Sequence, residues 1–305
     1  MAFGTPNFPE ALWPGIKEWF GNDYSEWSPI WEKLVMSVTS DKQFEKYQGI
    51  TEFGLAGVKS QGAAIPFQDP YQGFQKEILN VFYGLGTTIT YEMMRYDQYN
   101  LFKQLPQQLA KSVRRTEETV VHGVINNGFS SAVNPSTTAD GVSLFNSAHT
   151  LVAATGTTLA NTPVTQADFS QSALEQAYID IGRFVDDQNL PIVVEARTLL
   201  VPVESQHLAR KVLQTEYEVN SGNNTINPVS TARMPLDLVI SPYVTDTDSW
   251  YIRTDVEDGI VFQEVDAVSL DRDNEFDTKN LKFSAMRGFG VAPVNYLGWY
   301  ASSGG

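Results

Sequence analysis

From Leu101 to Asn127 the chain reads as one unbroken amphipathic helix, and few folds of this size can house it. Leu105, Leu109, Val113, Thr116, Val120 and Val124 recur at intervals of three and four, the period of a single helical face. Lys111, Arg114, Arg115, Glu117 and Glu118 fall mostly off that face. Pro106 sits near the start, where a missing N–H costs little. Asn127-Gly128 predicts a left-handed stop. At 1.5 Å per residue the rod is roughly 40 Å long, unusual for a compact domain.

What surrounds the rod is bounded by composition. The 305 residues suggest about two domains, or one large domain with excursions, and 42 % hydrophobic with 12 % aromatic residues is enough for a real core. The absence of cysteine excludes disulfides, thiolate metal sites and a cysteine nucleophile, and fits a reducing cytoplasm. The opening residues carry no basic segment followed by an apolar stretch, so no secretion signal is read there. No run approaches the ~18 apolar residues of a membrane span, and no membrane partner is expected. A net charge of −15 argues against a reader of duplex DNA, which should be basic. The charge is concentrated: Asp237 to Lys279 holds twelve acids against three basic residues. Within it, "DRDNEFD" (Asp271–Asp277) lacks the glycine and closing glutamate of a calcium loop, so no metal is expected.

Along the chain the elements alternate in an α+β pattern without internal repeats. Trp13, Trp19, Trp27 and Trp31 crowd the first fifty residues among prolines and charges, with a helical patch at "SPIWEKLVMSV". Such a segment buries its aromatics against the main body or a neighbouring chain. A glycine-rich polar stretch follows, with turns at Gln61-Gly62 and Asp69-Pro70. It runs into β-favouring residues from Phe74 to Thr90, which together predict a two-stranded excursion with a flexible tip. After the long helix comes a loop-rich region over residues 130–163. A second helix is predicted with its cap at Thr165 or Asp168, and a buried strand at Leu190–Pro202. Pro202 is expected to open a third helix with Leu208, Val212 and Leu213 inside. Strands are predicted at Met234–Val244 and Trp250–Val256, and a closing sheet over the last fifty residues.

One stretch looks like chemistry. "TADGVSLFNSAHTLVAA" places Asp140, Ser143, Ser147 and His149 within ten residues. A serine nucleophile needs a base oriented by a third group and a constrained turn. Neither serine has a Gly-x-Ser-x-Gly elbow, and Ser, Asp and Gly are ordinary loop material. The expectation is one structural hydrogen bond from His149. His122 and His207 have no metal-ligand spacing with it. The "GLG" at Gly84–Gly86 lacks the third glycine of a dinucleotide site, and no cofactor is expected.

The order of these parts resembles the major capsid proteins of tailed bacteriophages, the HK97-like fold. "VTSDKQFEKYQGITEFG" (Val38–Gly54) is similar to the start of subunits related to the Mu-like major head protein, and "VFYGLGTTITYEMM" (Val81–Met94) to their return strand and short helix. "DGVSLFNSAHT" resembles a recurring DG-x-x-LF-x-x-AH stretch, and "LLVPVESQHLARKVL" (Leu199–Leu213) a strand-to-helix element. The end, "DRDNEFDTKNLKFSAMRGFGVAPVNYLGWYASSGG", resembles the final strands. The likeness covers nearly the whole chain, and its order is more specific than any one piece.

The resemblance implies an N-terminal arm (1–50), an extended β-hairpin loop (51–92) and a peripheral domain with the spine helix (93–164). An axial domain (165–255) and closing peripheral strands (256–305) complete it. It implies a structural protein that self-assembles as pentamers and hexamers into an icosahedral shell around double-stranded DNA, made in the bacterial host cytoplasm and residing in the virion. Scaffolding, portal and decoration proteins are the implied further partners, with only non-specific contact to packaged DNA. Because Met1 leads directly into the arm, any scaffold is expected to be a separate chain. Candidate inter-subunit contacts are Trp13, Trp19, Trp27, Trp31, Lys59, Phe74 and Phe82. Alternatives are an encapsulin-like shell holding cargo, a serine hydrolase using Ser143 or Ser147 with His149, and another virion component such as a tail or decoration protein.

Overall fold

The computed structural model describes residues 17–18, 20–22, 28–96, 101–132, 136–154, 156–217, 225–230 and 234–305. The first strands are β1 (Met36–Thr39), β2 (Phe44–Ile50), β3 (Gln72–Leu79) and β4 (Val81–Ile89). A short helix α1 (Tyr91–Arg95) and the long helix α2 (Leu101–Asn126) follow, then β5 (His149–Thr150) and β6 (Thr158–Leu159). The middle of the chain holds α3 (Gln171–Ile181), β7 (Ala196–Pro202), α4 (Gln206–Gln214), β8 (Asp237–Ser241) and β9 (Trp250–Thr254). The closing strands are β10 (Ile260–Asn274), β11 (Leu281–Pro293) and β12 (Trp299–Ser302).

Two four-stranded sheets carry the fold. The first has the order β1-β10-β11-β4, with β1 parallel to β10 and the other pairs antiparallel. The second has the order β12-β9-β7-β8, with only β7 and β8 parallel. The first half of α2 lies on the first sheet: Leu109, Ala110 and Val113 meet Ile89, Leu281, Phe283 and Ala285. Its second half sits at the junction of both sheets. There Val121, Val124 and Ile125 pack with Phe262 and Phe289 from one side and Leu200, Tyr251 and Trp299 from the other. The second sheet turns its opposite face, with Leu199, Val201, Ile252 and Tyr300, to α3 and α4. Alternating side chains of β7 therefore enter two different cores, which explains a strand that reads as almost continuously apolar. Each such side chain contributes about 1.5–3 kcal/mol when fully buried.

Several local expectations need correction. The hairpin is longer at its base than 51–92: its first arm is β2, paired antiparallel with β3 from Phe44↔Leu79 to Ile50↔Gln72. β4 leaves the hairpin to pair with β11. "SPIWEKLVMSV" gives only a 3₁₀ turn at Trp31–Lys33 before becoming β1. Neither Asn127 nor Gly128 is left-handed. Glycine is needed at 128 for room, since a Cβ there would lie 2.5 Å from the Phe145 ring. Ser170, not Thr165 or Asp168, caps α3, accepting from Ala173 N–H, while Asp168 accepts from Gly305 N–H. Pro202 ends β7 opposite Ser241 and does not open a helix. In α4 the buried residues are Ala209, Val212 and Leu213, and Leu208 faces out. The last strand, β12, belongs to the second sheet and not with β10 and β11.

The Gln61-Gly62 turn does form where the sequence puts it. Ala63 N–H bonds to Ser60 O at 3.1 Å, and Gly62 takes φ 78°, the positive value a type II turn requires. A pair of glycines is required by close approach. Gly259 and Gly298 cross with no room for a side chain: a Cβ on Gly259 would lie 2.9 Å from both Gly298 Cα and Trp299 Cδ1. Gly298→Ala is expected to cost about 3 kcal/mol through overpacking, read as a lowered thermal unfolding midpoint.

Candidate assembly surfaces

Among the described residues the hairpin carries a long run of exposed apolar side chains. The β2–β3 ladder ends at Ile50↔Gln72, and just beyond it Thr51 Oγ1 accepts from Tyr71 N–H at 2.8 Å. Beyond it the chain continues as an extended loop to residue 70, tied by Gly54 N–H to Gln68 Oε1 at 3.0 Å. Phe53, Leu55, Val58, Ile65 and Phe67 on this loop are exposed, Val58 at 99 % and Phe67 at 95 %. Lys59 stands among them, also exposed. Phe74 on β3 and Phe82 on β4 are open at 36 % and 55 %. Phe82 lies against Gly288 on the face of the first sheet away from α2. A chain with these groups in water has unspent apolar surface on one projecting element.

The tryptophans divide. Trp13, Trp19 and Trp27 lie outside the described residues. Trp31 is described, and the inter-subunit role expected for it is corrected. It is 4 % exposed and stacks on Phe262 at 4.2 Å in the chain's own core.

The "TADGVSLFNSAHT" loop is closed on itself. His149 Nδ1 meets Asp140 Oδ2 at 2.8 Å, and the imidazole stacks flat on Tyr296 at 4.0 Å. Burial opposes ionisation of Asp140, but bonds from His149 and Thr138 outweigh it and hold the carboxyl below its usual range. Ser143 Oγ donates to Phe145 O at 3.1 Å and accepts from Asn146, and Ser147 faces solvent. His149 Nε2 is buried without a hydrogen-bond partner, so neither serine serves it as a nucleophile. Asn161 fastens this loop to the end of the chain. Its Nδ2 reaches Leu144 O at 2.7 Å and Tyr296 O and Trp299 O at 3.2 Å, and its Oδ1 accepts from Asn146 N–H.

Sequence reasoning missed the polar seam along α2. Glu117 is fully buried, with Arg114 Nη1 at 3.2 Å from Oε2 and Arg287 Nε at 3.0 Å from Oε1. Arg287 continues to Glu264 at 3.3 Å, and Trp31 Nε1 donates to Glu117 at 3.4 Å. One turn on, His122 is 1 % exposed, not solvated. Its Nδ1 lies 2.8 Å from Glu118 O and its Nε2 2.8 Å from Ser241 Oγ. The ring therefore carries its proton on Nδ1 and accepts from Ser241. Burial pushes His122 down to about 4 and Glu118 up to about 7. Charged residues three and four apart on a helix are normal for a solvated face, so no signal marked these as buried.

At the foot of the hairpin a cleft of about 340 Å³ is lined by Glu52, Asp140, Asp186, Asp187 and Asp258, with no lysine or arginine in its walls. Among the described residues no three histidines or carboxylates are disposed to hold a metal ion, and no helix is long and apolar enough to cross a membrane.

These two sheets, the long helix and the projecting hairpin make the HK97-like capsid fold. The cyanophage P-SCSP1u capsid matches with TM-score 0.61 and 9 % identity over 90 % of this chain and 87 % of that one. A Microbacterium phage Oxtober96 structure matches at 0.57 and 8 % over 90 % of each. A virus-like particle from Pyrococcus furiosus matches at 0.55 and 8 % over 94 % and 97 %. No curated protein matches the sequence. The family model described as phage capsid protein matches residues 81–302. The chain therefore belongs to the phage capsid protein family. It is a tailed-phage major capsid protein, a structural subunit and not an enzyme, whose place is the shell of the virion.

Proposed function

We propose that copies of this chain join as pentamers and hexamers into an icosahedral head that encloses double-stranded DNA. The observation that carries this reading is the hairpin: apolar side chains from Phe53 to Phe67 stay bare on the single chain and would be covered by a neighbour. Lys59, Phe74 and Phe82 belong to the same contact surface, with Trp13, Trp19 and Trp27 as arm contacts. The first sheet with α2 is the peripheral domain, and the second sheet with α3 and α4 is the axial domain facing the capsomer centre. Assembly takes place in the host cytoplasm, with scaffolding, portal and decoration proteins as partners. The net charge of −15 keeps the lining from gripping packaged DNA, and only weak binding of free subunits to duplex DNA at moderate salt is expected.

Electron microscopy with sedimentation of the purified chain is the test. Rings of five or six, tubes or closed shells are expected. A monodisperse monomer at high concentration, with and without a candidate scaffold, would overturn the reading. The second reading is a shell of the same fold holding protein cargo. The family match favours the phage head. Shells isolated from their source decide between them by their contents, nucleic acid or protein.

A further inference from the structure

The segment 28–35 crosses α2 and is pinned there by a glutamate with an incomplete set of donors. Ile30 N–H donates to Glu118 Oε1 at 2.6 Å, and Trp31 N–H also bonds the carboxyl. The other oxygen, Oε2, is buried with no hydrogen-bond partner. His122 stands 3.5 Å away but has committed its Nδ1 proton to the Glu118 carbonyl, and its Nε2 to Ser241. Arg114 and Glu117 on the same helix act on Glu118 with opposite signs. Across the gap Tyr243 tilts on His122 at 5.3 Å and senses both Glu118 and Arg115. No full ion pair neutralises Glu118: Arg114 is in salt-bridge contact with Glu117. An ionised Glu118 here would carry a buried charge with one oxygen unsatisfied, a costly arrangement.

We propose that Glu118 holds segment 28–35 on α2 as a neutral carboxylic acid, and that loss of its proton releases the segment. While docked, burial keeps the proton on Glu118 up to about pH 7. With the segment lifted, water reaches the carboxyl and it titrates near its ordinary 4.5. Between these values the docked form binds more protons than the open form, so rising pH favours opening. The opening constant rises about ten-fold per pH unit across that window and is flat on either side. His122 is held by Ser241 and its own helix, not by the segment, so its titration does not oppose the change. The device goes beyond the assembly reading and stands on the single chain. If the arm ahead of residue 28 engages a neighbour, the same proton also tunes assembly.

Amide hydrogen exchange of residues 28–36 in the unassembled, full-length chain tests this between about pH 5 and 8, corrected for intrinsic exchange. The expected result is a ten-fold rise in opening per pH unit that levels off near neutrality, and a flat profile in Glu118→Gln. A flat profile in the wild-type chain overturns the proposal, and so does an unchanged slope in Glu118→Gln. Infrared difference spectra of the wild-type chain give a second readout that does not depend on a variant folding. A carboxylic-acid band that fades as the segment opens supports the clamp. Absence of any such band above the ordinary carboxyl range overturns it. Neither measurement involves shells, so failure here is separable from failure to assemble.

Discussion

Glu117→Leu is expected to destabilise the chain by about 3–5 kcal/mol, the cost of removing a buried counter-charge that two arginines share. Glu117 has no exposed surface, and it faces Arg114 at 3.2 Å, Arg287 at 3.0 Å and the Trp31 indole at 3.4 Å. Removing it takes a shared buried counter-charge from two guanidinium groups that are themselves only 8 % and 7 % exposed, while Arg287 keeps Glu264 at 3.3 Å. Thermal unfolding should fall by several degrees or more, and soluble yield with it. The triple variant Glu117→Leu, Arg114→Met, Arg287→Met should recover most of the loss, because apolar replacements leave no buried charge to satisfy. An unchanged unfolding midpoint in Glu117→Leu would mean that water reaches the seam and screens it. Failure of the triple variant to recover would mean that the ion cluster fixes the packing of α2 on β11 and contributes more than charge balance.

The second large effect is on assembly and not on stability. Phe53→Glu with Phe67→Glu places two like charges on the hairpin loop, at side chains 60 % and 95 % exposed. The single chain should lose less than about 0.5 kcal/mol, as surface changes usually do. Every copy in a shell repeats the insult, and two truncated hot spots at each contact should raise the concentration needed for assembly at least ten-fold. Sedimentation would show subunits where the parent gives larger particles, with unchanged circular dichroism and unfolding temperature. Normal shells from this variant would remove the hairpin from the contact surface. Loss of secondary structure would instead mean that the loop packs on its own chain.

Period and turn chemistry made part of this fold legible. The stripe from Leu105 to Val124 gave α2, and the alternating apolar residues of the last fifty gave β10 and β11. Glycine at 62 marked the hairpin tip because a type II turn demands a positive φ there. The burial of other residues left no sequence signal, for identifiable reasons. Arg114, Glu117, Glu118 and His122 lie off the main stripe, which is the solvated side of a helix that packs on one face. Here both sheets and segment 28–35 contact α2, and the second contact leaves no trace in the helix's own period. Trp31 was indistinguishable from the tryptophans before it, because only the position of Phe262, 231 residues further on, takes it into the core. Asn161 is one of many loop asparagines until four backbone groups from two distant stretches of chain converge on it.

The sequence by itself determined the long helix, the closing strands and the order of the main elements, since helix period, strand alternation and turn residues are local properties. It also carried the family, because that order survives even where no single stretch is diagnostic. Tertiary structure alone decided which strands share a sheet, which charges lose their water and which apolar groups keep it. β12 joins β9, β1 pairs with β10, and the hairpin begins at Phe44, all through contacts between residues far apart in the chain. Burial follows from those contacts, and it is burial that pushes the Glu118 carboxyl up to about 7.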